Sequence, residues 1–456
     1  MRRALSRGIK TFKVKKAENG LIKGAVVLSL GGFVTKIIGA VYRIPLTNIL
    51  GAEGIGLYQM VFPFYSLLLT LSSSGVPNGI AKIIAGGGDP ETTLKSALKA
   101  FTTTGAAASV IMAVASGGLA SAQGNYGAKL SYAALSPSVF FVGIISCYRG
   151  YFQGFSDMKP TAVSQIAEQS VKLAAGLSLC RIFKNDTVKA AACAALAVTV
   201  SEITAAIYFM VLKKKRGFSA GGNKKITVKT LLKTVAPVML STIIFPLSKT
   251  VESFFIINLL GVYSDKATSL YGLYSGAAES LTGVPVALLY GFAASAVPVI
   301  ASELKSGNAA DGKIRQSLLF TFSGGVICGA LLHVFAPLAV KILYPKLSAE
   351  NAAITVKLLK IGAFTVIFLP LVQTTAAVLI ASGNCGVPPV TAFISAAVKI
   401  ALTVFLIKNP DINILGAVIG DGACYLLACF LNLMYIIYDC KVKFKIKAEK
   451  IAYEGK

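Results

Sequence analysis

The chain has 456 residues, of which 55% are hydrophobic and only 14% charged, and its mean hydropathy is +0.71. Soluble chains carry roughly a quarter charged residues, so this composition excludes an ordinary soluble domain, and the lack of strand-like alternation excludes a β-barrel. The net charge of +26 is gathered in short clusters between long apolar tracts, which points to anionic lipid headgroups and not to a nucleic-acid partner.

Residues 1–20 form a basic tail carrying Arg2, Arg3, Arg7, Lys10, Lys13, Lys15 and Lys16. The apolar tract behind it is too long for the core of a cleaved signal peptide, so an uncleaved first span is expected. A spanning helix needs about 20 mostly apolar residues to cross roughly 30 Å of hydrocarbon. About twelve tracts qualify: 21–44, 57–81, 98–120, 130–153, 164–182, 188–212, 231–260, 269–300, 316–340, 357–381, 387–407 and 414–438. Pro63, Pro77, Pro246, Pro285 and Pro298 fall within them and mark candidate bends, because each removes a backbone donor.

With the amino terminus placed in the cytoplasm, inner segments hold 30 Lys and Arg, outer segments 9, and spans the remaining 6. That asymmetry is the positive-inside rule, and it puts both termini of a multi-pass cell-membrane protein in the cytoplasm. The eight cysteines form no CxxC pair and read as small apolar residues.

The longest polar interruption, 213–230, lies at the midpoint. It separates an amino-terminal lobe (21–212, six spans) from a carboxy-terminal lobe (231–438, six spans), with a second basic tail at 439–456. An even number of spans per half makes the halves parallel repeats. Three short echoes keep the same order: Asn48-Ile49-Leu50-Gly51 with Asn258-Leu259-Leu260-Gly261, Leu57-Tyr58 with Leu270-Tyr271, and Ser74-Gly75-Val76-Pro77 with Ser295-Ala296-Val297-Pro298. Paired bundles meeting at a seam are the architecture of alternating-access carriers.

Ionisable residues inside spans are costly and mark a cavity or a partner. The first span places Gly32, Lys36, Gly39 and Arg43 on one helical face, a narrow cationic stripe suited to a pyrophosphate or another anionic group. The bland alternative has Arg43 snorkelling to headgroups and Lys36 paired with a carboxylate. In the seventh span Lys249 and Glu252 stand at i, i+3, and Glu279 lies in the eighth. They make either a local salt bridge plus one carboxylate at the seam, or a substrate or ion site. Glu168 and Lys172, at i, i+4, read as a structural pair, while Lys360, Lys399, Glu202 and Asp421 stand singly. The lone histidine, His333, has no ligand-spaced neighbour and reads as packed or interfacial; no metal site and no cofactor are expected. No HExxH, phosphate loop or Ser–His–Asp set is present, so the chain does not read as an enzyme. Transport would draw on an ion gradient, the membrane potential or downstream consumption of product.

Three blocks carry a family resemblance: LIKGAVVLSLGGFVTKIIGAVYRIPLTNILGAEGIGLYQM at 21–60, YRGYFQGFSDMKPTAVSQIAEQSVKL at 148–173, and SLYGLYSG…GVPVALLYGFAASAVPVIASEL at 269–304. They resemble the stage V sporulation protein B group of polysaccharide biosynthesis proteins, within the multidrug/oligosaccharidyl-lipid/polysaccharide (MOP) exporter superfamily. The resemblance implies an all-α membrane protein with two pseudo-symmetric six-helix lobes in a V around a central cavity, as in multidrug-and-toxin extruders (MATE). It implies a lipid-linked substrate such as an undecaprenyl-pyrophosphate sugar or peptidoglycan precursor, with no enzymatic step. The family's cavity is lined by the first, second, seventh and eighth helices, which here carry Lys36, Arg43, Lys249, Glu252 and Glu279. Many members have two further helices after the twelfth, and lipid II flippases bring additional arginines from the second and eighth; here the second span has none and the eighth shows Glu279-Ser280.

The expectation is therefore a monomeric flippase for a lipid-linked saccharide, with membrane lipids and a coupling ion as its other partners. Its rivals are an ion-coupled cation or multidrug exporter using Glu252 and Glu279, a membrane polysaccharide polymerase, and a nontransporting scaffold.

Overall fold

A computed structural model describes residues 2–216, 226–289 and 311–454. Apart from one 3₁₀ turn at Tyr126–Ala128 and short connections, these residues are helical. The helices are α1 (Arg2–Ser73), α2 (Val76–Ala85), α3 (Pro90–Val114), α4 (Ser116–Ala122), α5 (Lys129–Gly154), α6 (Lys159–Ile182) and α7 (Thr187–Arg216). They continue with α8 (Val228–Thr242), α9 (Ile244–Gly261), α10 (residues 267–289), α11 (Asp311–Leu343), α12 (Ala349–Ala381), α13 (Val387–Ile407) and α14 (Leu415–Glu454).

Among the described residues, nine segments are long and apolar enough to cross a membrane. One of them, Val34–Ala85, has 52 residues, about 78 Å at 1.5 Å per residue, which is two crossings. Inside it Gly51 takes φ 67° and ψ −175°, a conformation open to glycine alone. The first two expected spans are thus separated by a break within α1, not by a loop. The expected fifth and eighth spans correspond to α6 and α10. α6 is diluted by Gln165, Glu168, Gln169 and Lys172, and α10 is followed by residues outside those described, including Pro298. Together these account for about twelve spans.

Tertiary contacts divide the chain into two compact units, Met1–Leu50 with Met60–Pro246 and Gly51–Gln59 with Leu247–Lys456. In the first, α5 packs against α2, α3 and α7 around a core of Val76, Ile80, Phe101, Tyr151, Phe152 and Phe209. Small residues permit these approaches, as is usual between membrane helices: Gly143 faces the Phe101 carbonyl, Gly150 faces Pro77 and Ile80, and Gly154 faces Ile84. The alanine richness of α7 has the same origin, since Ala190, Ala191, Ala194, Ala195, Ala205 and Ala206 are all buried.

The expected seventh span, 231–260, is interrupted at Ile243. Its first half, α8, starts at Thr227, whose hydroxyl caps the Thr230 N–H, and it buries Leu231 and Val235 in the core of the first unit. The boundary between units accordingly falls at Pro246, inside that span, because α8 has its apolar partners on α2 and α3.

In the second unit, α12 contacts α11 and α14. α11 leaves Leu319, Phe322, Ile327, Leu331, Val334 and Leu338 exposed, a surface fit for lipid. α10 contains a π-helical stretch, Gly272–Ala278, a distortion frequent at functional sites. Residues 51–59 lie against it: a side chain on Gly56 would collide with the Thr268 carbonyl, and one on Gly276 with Ile55. Gly56→Ala is expected to lower stability by about 1–3 kcal/mol, read as a lower melting temperature of the detergent-solubilised protein.

Candidate functional site

In each unit a polar constellation gathers residues singled out in the sequence. In the first unit α1 and α6 run side by side in the same direction. A Cβ on Gly31 would lie 2.7 Å from that of Ala162, one on Gly39 would lie 3.5 Å from Gln169 Oε1, and Gly176 abuts the Tyr42 ring. Around α1 three faces alternate. One packs on α6 through Gly31 and Tyr42; a second exposes Val34, Ile37 and Val41. Between them runs the stripe of Gly32, Lys36, Gly39 and Arg43, with Lys36 exposed and Arg43 half-buried. A Cβ on Gly32 would meet nothing within 4 Å. The cations therefore occupy a side of the helix distinct from its greasy exposed one.

On α6, Glu168 does not pair with Lys172, as its i, i+4 spacing suggests. It takes Arg149 of α5 at 2.5 Å, and that guanidinium also donates to Ser164 at 3.2 Å. Lys172 stands over the Tyr42 ring, 5.7 Å from its centroid. A helix-to-helix partner in the packed interior wins over a same-helix one, because a buried carboxylate without a cation is strongly unfavourable.

In the second unit the same correction applies to Lys249 and Glu252. They do not bond each other across i, i+3. Lys249 reaches Glu279 of α10 at 2.8 Å, where Ser275 also donates to that carboxylate at 3.2 Å. Glu252 is buried and pairs with Lys399 of α13 at 2.5 Å. Lys399 in turn contacts Asp421 of α14 at 2.7 Å, and the Tyr274 hydroxyl, from the π-helical stretch, donates to Asp421 at 2.5 Å. Glu252, Lys399 and Asp421 are only 3%, 4% and 4% exposed. Two carboxylates thus share one ammonium at the meeting point of α9, α13 and α14. Asp421 and Glu279 also line one cleft with Tyr274, Thr282, Gly362 and Thr365.

Lys399 and Asp421, which stand singly in the sequence, are hence the centre of this cluster. A signal was present in α13: Ser395, Lys399 and Thr403 recur every four residues, and all three are buried. That is a polar stripe in an otherwise apolar span. His333 packs at a helix contact, its Nδ1 3.0 Å from the Lys360 carbonyl oxygen. Among the described residues no three His, Cys, Asp or Glu side chains gather where they could hold a metal ion.

The sequence profile of the family described as polysaccharide biosynthesis protein matches residues 21–303. Among curated proteins, stage V sporulation protein B of Bacillus subtilis (strain 168) is 27% identical over 462 residues, covering 96% of this chain and 87% of the relative. The lipid II flippase MurJ of the same organism is 25% identical over 471 residues, covering 94% and 85%. Among solved structures, an inward-facing multidrug-resistance MATE transporter of the MOP superfamily superposes with a TM-score of 0.77 at 14% identity, covering 90% of this chain and 96% of that one. An outward-facing MATE transporter of the same superfamily gives 0.69 at 16% identity, covering 93% and 96%.

The chain belongs to the polysaccharide biosynthesis protein family. Its fold is the all-α MOP fold shared with MATE transporters. It is a multi-pass membrane protein, with nine described segments long and apolar enough to cross a membrane.

Proposed function

We propose that the chain carries a lipid-linked saccharide, an undecaprenyl-pyrophosphate-linked glycan or a peptidoglycan precursor, across the cytoplasmic membrane by alternating access of two six-span lobes. The observation that carries this is the stripe of Lys36 and Arg43 on a side of α1 separate from its exposed apolar face. A cation on that side suits an anionic headgroup, while the polyprenyl tail remains in lipid. The similarity to a stage V sporulation protein and to a lipid II flippase across nearly the whole chain supports the same substrate chemistry. The excess of Lys and Arg in the segments assigned to the inner side supports cytoplasmic termini.

Lys36, with Arg43, holds the pyrophosphate. Lys249 and Glu279 belong to the polar lining of the second lobe, and Glu252 supports it through the buried cluster with Lys399. A cation exporter would need Glu252 and Glu279 as open counter-ions; each instead has an ammonium within 2.8 Å, which favours the anionic substrate. Among the described residues the connections between helices are short, which does not favour the extracytoplasmic domain a polymerase would use.

The test is a proteoliposome assay with the purified native chain and a fluorescent oligosaccharide on undecaprenyl pyrophosphate. Label should become accessible to a membrane-impermeant quencher faster than in protein-free vesicles. Equal rates with well-folded protein would contradict the proposal.

A further inference from the structure

We infer that Gln165 and Gln169 of α6 contact the saccharide part of the substrate, next to the anion held by α1; this rests on the function proposed above. Three observations converge on that assignment. The first is position. Gln169 Oε1 lies 3.5 Å from where a side chain of Gly39 would begin, and Gly39 is flanked one helical turn away by Lys36 and by Arg43. An uncharged amide thus stands at the edge of the cationic stripe itself. Gln165, four residues earlier, lies on the same side of α6 as Gln169.

The second is unfilled bonding capacity. The Oε1 atoms of both glutamines are buried and accept no hydrogen bond within the protein. A buried acceptor lacking a donor is unfavourable and calls for a partner. Their neighbour on α6, Glu168, is by contrast fully engaged with Arg149, so that the polar side of this helix is satisfied at one position and not at the two beside it.

The third is chemical class. An amide offers an acceptor and two donors without charge. That combination matches sugar hydroxyl and acetamido groups and adds nothing specific for phosphate. Glycine at 39 keeps the α1 backbone close to this buried amide with no side chain between them. Cations for the pyrophosphate and amides for the sugar then form one continuous strip along the α1–α6 seam.

The experiment is a competition assay in proteoliposomes of the full chain. Translocation of a fluorescent polyprenyl-pyrophosphoryl disaccharide is inhibited either by the same unlabelled lipid or by polyprenyl pyrophosphate without sugar. The readout is the ratio of the two half-inhibitory concentrations. Gln169→Leu removes the hydrogen-bonding groups at nearly constant size. Gly39→Ala adds a methyl at ordinary contact distance from the Gln169 oxygen and occupies the side on which a sugar group would meet it, so it decides the matter even where Gln169→Leu fails to fold. The native preference for the sugar-bearing lipid is expected to fall about tenfold in each folded variant, as for loss of one hydrogen bond from a desolvated site. An unchanged ratio in the folded variants, with or without a change in absolute rate, overturns the inference while leaving the flippase proposal standing. Native protein that translocates no lipid overturns both.

Discussion

Replacing Lys399 by methionine is expected to destabilise the protein by about 3–5 kcal/mol, the largest single-residue loss the structure implies. The ammonium is the shared partner of Glu252 at 2.5 Å and Asp421 at 2.7 Å. All three side chains are nearly inaccessible, and Glu252 Oε1 already lacks a hydrogen-bond partner. Methionine keeps the length of the side chain but leaves two carboxylates facing each other in an apolar interior. Their repulsion and desolvation then act together, and α9, α13 and α14 lose an ammonium that ties them electrostatically. Neutralising the whole cluster behaves differently. The triple variant Glu252→Gln, Lys399→Met, Asp421→Asn is expected to recover most of the loss, because swapping a complete buried ion cluster for neutral groups is often close to neutral. Thermal unfolding of the purified protein in detergent separates the cases. A Lys399→Met protein that melts with the native one would show that the cluster is hydrated or already proton-neutralised.

The largest functional effect is expected at Lys36. Charge-assisted contacts to a phosphate contribute about 1.5–3 kcal/mol, which corresponds to a roughly 10- to 100-fold loss of translocation in Lys36→Ala. Lys36→Arg keeps the charge and is expected to retain most activity. Lys189, exposed and paired with Asp186 on the surface at 2.9 Å, supplies the control: Lys189→Ala should match the native rate. The contrast isolates position from charge, since each substitution removes one cation from an already strongly basic chain. Stability should barely respond at Lys36, whose side chain is exposed, so melting temperature and transport are expected to part company there. At Lys399 stability is expected to fall first.

Much of the scaffold is legible in the amino-acid sequence because hydropathy alone dictates it. The expected span 387–407 coincides with α13, and 130–153 differs from α5 by one residue at each end. Where apolar content stops deciding, boundaries move. The interruption at Ile243 carries no glycine; its only local sign is Pro246 at the third position of α9, the kind of place where proline begins a helix rather than bends one. Ala-rich α7 and Gln-rich α6 read weakly in the sequence because their composition reflects helix–helix contact instead of lipid exposure.

Of the candidate site, the α1 stripe follows directly from helical periodicity. The partners of Lys249, Glu252 and Glu168 do not. Lys249 binds a residue 30 positions away and Glu168 one 19 positions away, and no spacing rule encodes contacts between different helices. Intra-helical pairing was the only rule the sequence offered, and burial overrode it. In α13 a charge at Lys399, amid Ser395 and Thr403 at four-residue intervals, already marks a face turned to protein.

On the proposed mechanism a negatively charged lipid-linked headgroup passes along the cationic face of α1. The most direct measurement compares, in proteoliposomes of the native chain, the translocation rate of one oligosaccharide carried on undecaprenyl pyrophosphate with that of the same oligosaccharide on a neutral glycosyl lipid. The pyrophosphate-linked form should cross well above the protein-free rate and the neutral form close to it. Equal rates for the two lipids, or no protein-dependent movement of the charged one, would contradict the claim.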